Sequence, residues 1–218
     1  MNLPFTIDEF LEVFRKYNLS VFPMQLLFYL FGAMALYYSI TKSRLSDKII
    51  LLILSFLWLW TGIVYHLLHF SWINKAAYLF GVLNIVQAGL FYFFGIHRGK
   101  ITFDVKRDVY GVAGGLLILY ALLVYPVFGH QLGHQYPSSP TFGVPCPTTI
   151  FTFGILLWSE NKVPLVVLII PFLWSLIGAT AAIYLGMLED LGLLLSALIT
   201  AFLLYSRNHH SRKKMITG

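Results

Sequence analysis

Seven apolar runs, at about 19–40, 49–69, 76–96, 109–128, 148–159, 163–184 and 190–205, follow one another with only short polar breaks. A helix of about 20 apolar residues crosses the ~30 Å hydrocarbon core of a bilayer. In hydrocarbon, a helix is also one of only two ways to satisfy every backbone polar group. The rest of the chain cannot support another reading. It is 58% hydrophobic and 11% charged, with a mean hydropathy of +0.77, too apolar for an ordinary water-soluble domain. The expected fold class is therefore all-α, a polytopic membrane bundle of seven transmembrane helices.

Charge sets the expected orientation. Lys42, Arg44 and Lys48, then Arg98, Lys100, Lys106 and Arg107, then Lys162, then Arg207, Arg212, Lys213 and Lys214 all fall in connections on one side of such a bundle, against Arg15, Lys16 and Lys75 on the other. By the positive-inside rule the N-terminus is outside and the C-terminus cytoplasmic. An even number of crossings scrambles this partition, which supports counting the short fifth run as a span. The same clustering accounts for the net charge of +6, so the lipid bilayer is the expected partner and nucleic acid is not. The start of the chain lacks the basic and apolar regions of a signal peptide, and insertion is expected to rely on the first span. Cys146 is the only cysteine, which excludes an intrachain disulfide.

Three parts are expected. Residues 1–18 form an interfacial amphipathic helix, with Ile7, Phe10, Leu11 and Phe14 on one face and Thr6 and Glu9 spaced as a capping box. Residues 19–206 form the seven-helix domain, and 207–218 a basic cytoplasmic tail.

The segment 129–154, GHQLGHQYPSSPTFGVPCPTTIFTFG, carries no Asp, Glu, Lys or Arg but holds four of the nine prolines, the lone cysteine and two of the seven histidines. The apolar run it leads into has about 12 residues and rises only ~18 Å as a helix. Its outer end must lie below the membrane surface, so the proline-rich stretch is expected to be re-entrant, buried against other helices or lining a wet cavity. Pro147 suits a first helical turn, which puts Cys146 at or near the cap, where the helix dipole favours a thiolate.

Several polar residues are expected near the same outer end. His66 and His69, spaced i, i+3 beside Tyr65, share one face of an ideal helix. Asn84 and Gln87 sit deeper on the third span, His130 and His134 leave the fourth, Cys146 heads the fifth and Glu189 with Asp190 opens the seventh. Histidine, thiolate and carboxylate are ligands for zinc or another transition metal. The candidate assignments are His66, His69, His130, His134 and Cys146 as metal ligands; Tyr65, Asn84, Gln87, Thr148 and Thr149 as contacts to a small ligand; and Glu189 or Asp190 as general base. Each has a structural alternative: Asp190 as an N-cap, Asn84 and Gln87 as helix-to-helix glue, the histidines as packed or headgroup-level residues. Ser175, Gly178, Ala179 and Ala182, and Gly111, Gly114 and Gly115, are small-residue stripes suited to close helix approach.

The stretches LPFTIDEFLEVFRKYN, YHLLHFSWINKAAYLFG, PTFGVPCPTTIFTFG and PFLWSLIGATAAIYLGMLEDLGL resemble a bacterial family of small seven-helix integral membrane proteins defined only as a domain of unknown function. The resemblance covers nearly the whole chain and implies a multi-pass protein of the cell inner membrane, with no activity or catalytic residue. The seven-helix metal-dependent ceramidases and progestin-receptor-like hydrolases share the helix count. Their paired histidines on the last span are absent, since Leu191 to Tyr205 contains no His.

The leading functional expectation is an outward-facing His, Cys and carboxylate site that binds a transition metal or small ligand, with metal-assisted hydrolysis as its chemistry if a metal is bound. A second is a transporter of small solutes or metals using the broken fifth helix, whose N-terminus attracts anionic groups. A third is a structural or partner-binding membrane protein.

Overall fold

The computed structural model describes residues 4–216, without the side chains of Ala181 and of 208–216; most of the basic tail's side chains, and residues 1–3 of the expected N-terminal helix, lie outside what is described. The architecture is all-α. Helix α1 is Ile7–Val21, α2 Met24–Ile40, α3 Ser46–Trp72, α4 Ala77–His97, α5 Val109–Gln131, α6 Pro145–Leu157, α7 Leu165–Tyr184 and α8 Leu191–Ile216. By length and composition five segments can cross a membrane: α3, α4, α5, α7 and Leu188–Arg207. A sixth is counted if α1 and α2, bent by 85° to each other, form one broken span.

The first apolar run is divided. Residues 19–21 complete α1, the chain turns at Phe22 and Pro23, and α2 keeps 17 residues. A proline has no N–H to continue the α1 ladder, and this run reads as continuous only because hydropathy ignores that loss. α1 carries the expected capping box: Glu9 N donates to Thr6 Oγ1 at 3.2 Å and Thr6 N donates to Glu9 Oε2 at 2.7 Å. Its buried face, however, is Phe10, Val13, Phe14, Tyr17 and Val21, while Ile7 is 46% exposed. That face packs on Tyr65, Phe70, Val144, Leu185 and Met187, so α1 lies across one end of the bundle as a cover.

The basic connections meet at the other end. Lys42 Nζ is 3.5 Å from Glu160, Asp47 accepts from Phe103 N at 2.9 Å, and Asn161 Nδ2 donates to Thr102 Oγ1 at 3.0 Å. Arg207 Nη1 donates to Ser159 O at 2.6 Å.

Helix α6 runs through the middle. Of its 13 residues only Cys146 is not fully buried. A short helix surrounded by other helices need not match the bilayer thickness, because protein rather than lipid covers its ends. Its contact with α5 is backbone to backbone: a methyl on Gly154 would lie 2.8 Å from Gly114 O, and one on Gly114 would lie 2.7 Å from Gly154 O. The glycine stripe read from the sequence is this contact, and Trp158 Nε1 adds a 2.9 Å bond to Gly111 O.

Three helices change winding on the way. Thr61–Leu67 of α3, Phe91–His97 of α4 and Tyr120–Val124 of α5 are π-helical. Such widened turns rotate everything beyond them relative to an ideal helix, and they recur at functional sites.

Candidate functional site

A cavity of about 420 Å³ lies under α1. Phe10 and Phe14 of α1, Tyr65 and Phe70 of α3, Phe80 of α4 and Trp174 of α7 give it an aromatic lining. Leu176 and Thr180 also line it and are exposed on the outer face of α7, so the cavity reaches the side of the bundle there.

One wall is polar. The 3-10 turn Leu188–Asp190 brings Asp190, 2% exposed, to the start of α8. Tyr125 Oη donates to Asp190 Oδ1 at 2.6 Å, from the α-helical turn that follows the π segment of α5. Cys146 of α6, Trp174 of α7 and Tyr65 of α3 line the cavity together with Asp190. The buried indole Nε1 of Trp174 has no hydrogen-bond partner.

Helix α6 starts two residues earlier than a cap at Cys146 would give. Val144 is the N-cap, Pro145, Cys146 and Pro147 fill the first three positions, and no side chain caps the end. Prolines at the first and third positions remove two of the amide donors that a buried helix start would otherwise leave unpaired. Thr148 N bonds Val144 O at 3.2 Å, so Cys146 N–H is the donor left in the first turn.

The proline-rich segment is held by α1. Asn18 Nδ2 donates to Pro137 O at 2.7 Å and Ser139 O at 2.8 Å, and Asn18 Oδ1 accepts from Thr141 Oγ1 at 2.9 Å. Gln25 Nε2 in turn donates to Asn18 O at 2.9 Å.

Of the residues singled out in the sequence, Tyr65, Cys146 and Asp190 meet at the cavity wall. The others do not join them. His66 is buried with both ring nitrogens unpartnered, its ring 4.9 Å from that of Trp174, which separates it from the cavity. His69 turns to α1: Nε2 is 2.9 Å from Ser20 Oγ and Nδ1 is 2.8 Å from Val64 O, so both nitrogens are occupied. The i, i+3 pairing fails because His66 lies inside the π segment, where the Leu68 N to Ile63 O bond marks the wider winding. His130 is exposed, and His134 Nδ1 pairs with Glu189 Oε1 at 2.8 Å, away from Asp190. Among the described residues no three His, Cys, Asp or Glu side chains converge as metal ligands.

Asn84 and Gln87 join helices. Thr61 Oγ1 donates to Asn84 Oδ1 at 2.9 Å and Gln87 Nε2 donates to Val167 O at 2.9 Å. Thr149 bonds back to Pro145 O at 2.8 Å, and Thr148 is buried with its hydroxyl unpartnered, off the cavity wall. Sequence reasoning missed Tyr125 and Trp174. Both sit within apolar runs, where an aromatic residue gives no sign of which neighbour it will face. Outside the spans, Arg15 at 2.5 Å from Glu12 holds that carboxyl below the usual carboxylate range.

Fold and site together define the class: an all-α chain, several of whose helices have membrane-crossing length, enclosing an aromatic cavity with a buried carboxylate on its wall. The chain belongs to the family of unknown function DUF6064, whose model matches residues 7–215. No curated protein and no solved structure matches it.

Proposed function

We propose that this is a multi-pass membrane protein that binds a small amphiphilic molecule in the cavity beneath α1, with its apolar part among the rings and its polar group at Asp190, Tyr125 and Cys146. One observation carries the reading: an aromatic cavity that reaches the exposed side of α7 at Leu176 and Thr180 also meets a buried carboxyl group. Ligand sites characteristically combine an apolar body with a few placed polar groups. A lateral mouth suits a ligand that arrives from the bilayer.

In this reading the chain crosses the membrane seven times, counting α2 and α6, with the basic end cytoplasmic and the cavity in the outer half. The gathering of the basic connections at one end of the bundle supports that orientation. The small-ligand form is preferred to the metal form because the five proposed metal ligands are dispersed. Carriage of an anion through the α6 N-terminus loses its rationale, since Pro145 and Pro147 supply no amide donors there.

The test is native mass spectrometry of the chain released from an uncharged detergent. Wild type is expected to retain a low-mass amphiphile, and Ile177→Trp, which fills the cavity from α7, to lose it. Equal retention by both, or retention by neither, would count against the cavity as a binding site.

A further inference from the structure

We propose that the polar group held at the cavity wall is an organic cation, an ammonium on an apolar tail. This rests on the reading that the cavity takes an amphiphile, and it adds the charge of the head group.

The argument starts from Asp190. Its 2.6 Å bond from Tyr125 falls in the range of hydroxyl donors to an ionised carboxylate, about 2.5–2.7 Å. Cys146, which shares the cavity wall with Asp190, brings no positive charge to it. The ion pairs among the described residues go to Glu12, Glu160 and Glu189, and none reaches Asp190. A buried carboxylate with no counter-charge is costly, and a cation bound beside Asp190 would offset that cost.

The rest of the cavity has the matching chemistry. Tyr65, Phe70, Phe80 and Trp174 are π-systems whose faces attract cations, tryptophan most strongly. Their apolar surface carries no fixed charge that an alkylated ammonium would have to displace. An anion would find little there: the α6 start has lost two amide donors to proline, and Asp190 repels it. The unpartnered Nε1 of Trp174, in a side chain more than nine-tenths buried, can donate to an oxygen neighbouring the ammonium.

Cys146 supplies the readout, because it is the sole cysteine and lines the cavity. The full chain in an uncharged maltoside detergent is alkylated with N-ethylmaleimide, with and without dodecyltrimethylammonium, dodecanol or dodecyl sulfate. The ammonium is expected to slow alkylation about ten-fold more than the alcohol, and the sulfate least. Asp190→Asn, which keeps an oxygen acceptor for Tyr125, is expected to erase the advantage of ammonium over alcohol. Should that variant misfold, Trp174→Leu keeps the carboxylate and is expected to cut the advantage several-fold.

Dodecylphosphocholine separates two sources. Protection equal to that by the simple ammonium means that a zwitterionic lipid head is accepted; no protection means that a free cationic amphiphile is required. Either result keeps the cation. Equal protection by ammonium and alcohol, or an ammonium advantage that persists in Asp190→Asn, would overturn this inference while leaving the amphiphile reading intact. Absence of protection by every probe would overturn both.

Discussion

The hydroxyl of Tyr125 donates to Oδ1 of Asp190 across 2.6 Å, tying the C-terminal part of α5 to the turn that opens α8. The bond joins residues 65 positions apart, on the cavity wall that Pro145 and Cys146 of α6 also line. Among the described residues it fixes the one carboxyl group that lines the cavity.

Tyr125→Phe keeps the ring and deletes the donor. A hydrogen bond to a charged group contributes about 2 kcal/mol, and the Tyr125 bond is the one given to the Asp190 side chain among the described residues. Unfolding in dodecyl sulfate should show a destabilisation of that size; a variant as stable as wild type would show that the bond contributes nothing.

Asn18→Ala removes both donors to the proline-rich segment and the acceptor for Thr141. The carbonyls of Pro137 and Ser139 then lose their buried partner, at about 1–3 kcal/mol. The effect should be local, read as faster hydrogen exchange and protease cleavage within 132–144 while α3 to α5 stay protected. Unchanged exchange in that segment would refute the role of Asn18 as its anchor.

His66→Phe tests whether the buried imidazole has a hidden partner. Both nitrogens are unpaired among aromatic rings, so an apolar ring of similar shape should leave stability unchanged or raise it by about 1 kcal/mol. A loss above about 2 kcal/mol would mean that the ring binds something in the native protein, such as an ion or water.

Gly154→Ala probes the seat of α6. The added methyl would meet Gly114 O at 2.8 Å and Ile118 N at 3.1 Å, backbone atoms that cannot turn away. Overpacking of this kind costs about 1–3 kcal/mol, and the melting midpoint in detergent should fall accordingly. Gly89→Ala, at a position with open space around it, is the control and should change little.

Much of the fold was legible. The apolar runs at 49–69, 76–96, 109–128 and 163–184 became α3, α4, α5 and α7, since hydrophobic runs of that length can be satisfied only as buried or membrane-crossing helices. The Thr6 and Glu9 capping box was readable because it is local, three residues closing on themselves. Cys146 was legible as part of a helix start because flanking prolines tolerate few other places. The bend after Val21 was not read, since hydropathy runs straight through Phe22 and Pro23. Nor was the parting of His66 from His69, because an i, i+3 argument assumes α-helical winding and the π segment Thr61–Leu67 breaks that assumption.

By itself the sequence determined which segments are helical, where the basic connections lie, and that a proline-rich piece feeds a short apolar helix. Those follow from local composition and backbone chemistry. Only the tertiary structure decided that Asp190 rather than Glu189 reaches the cavity, that Tyr125 and Trp174 join it, and that His130 and His134 do not. Each depends on the rotation of one helix against its neighbours, which packing of whole surfaces sets and no single stretch of residues encodes.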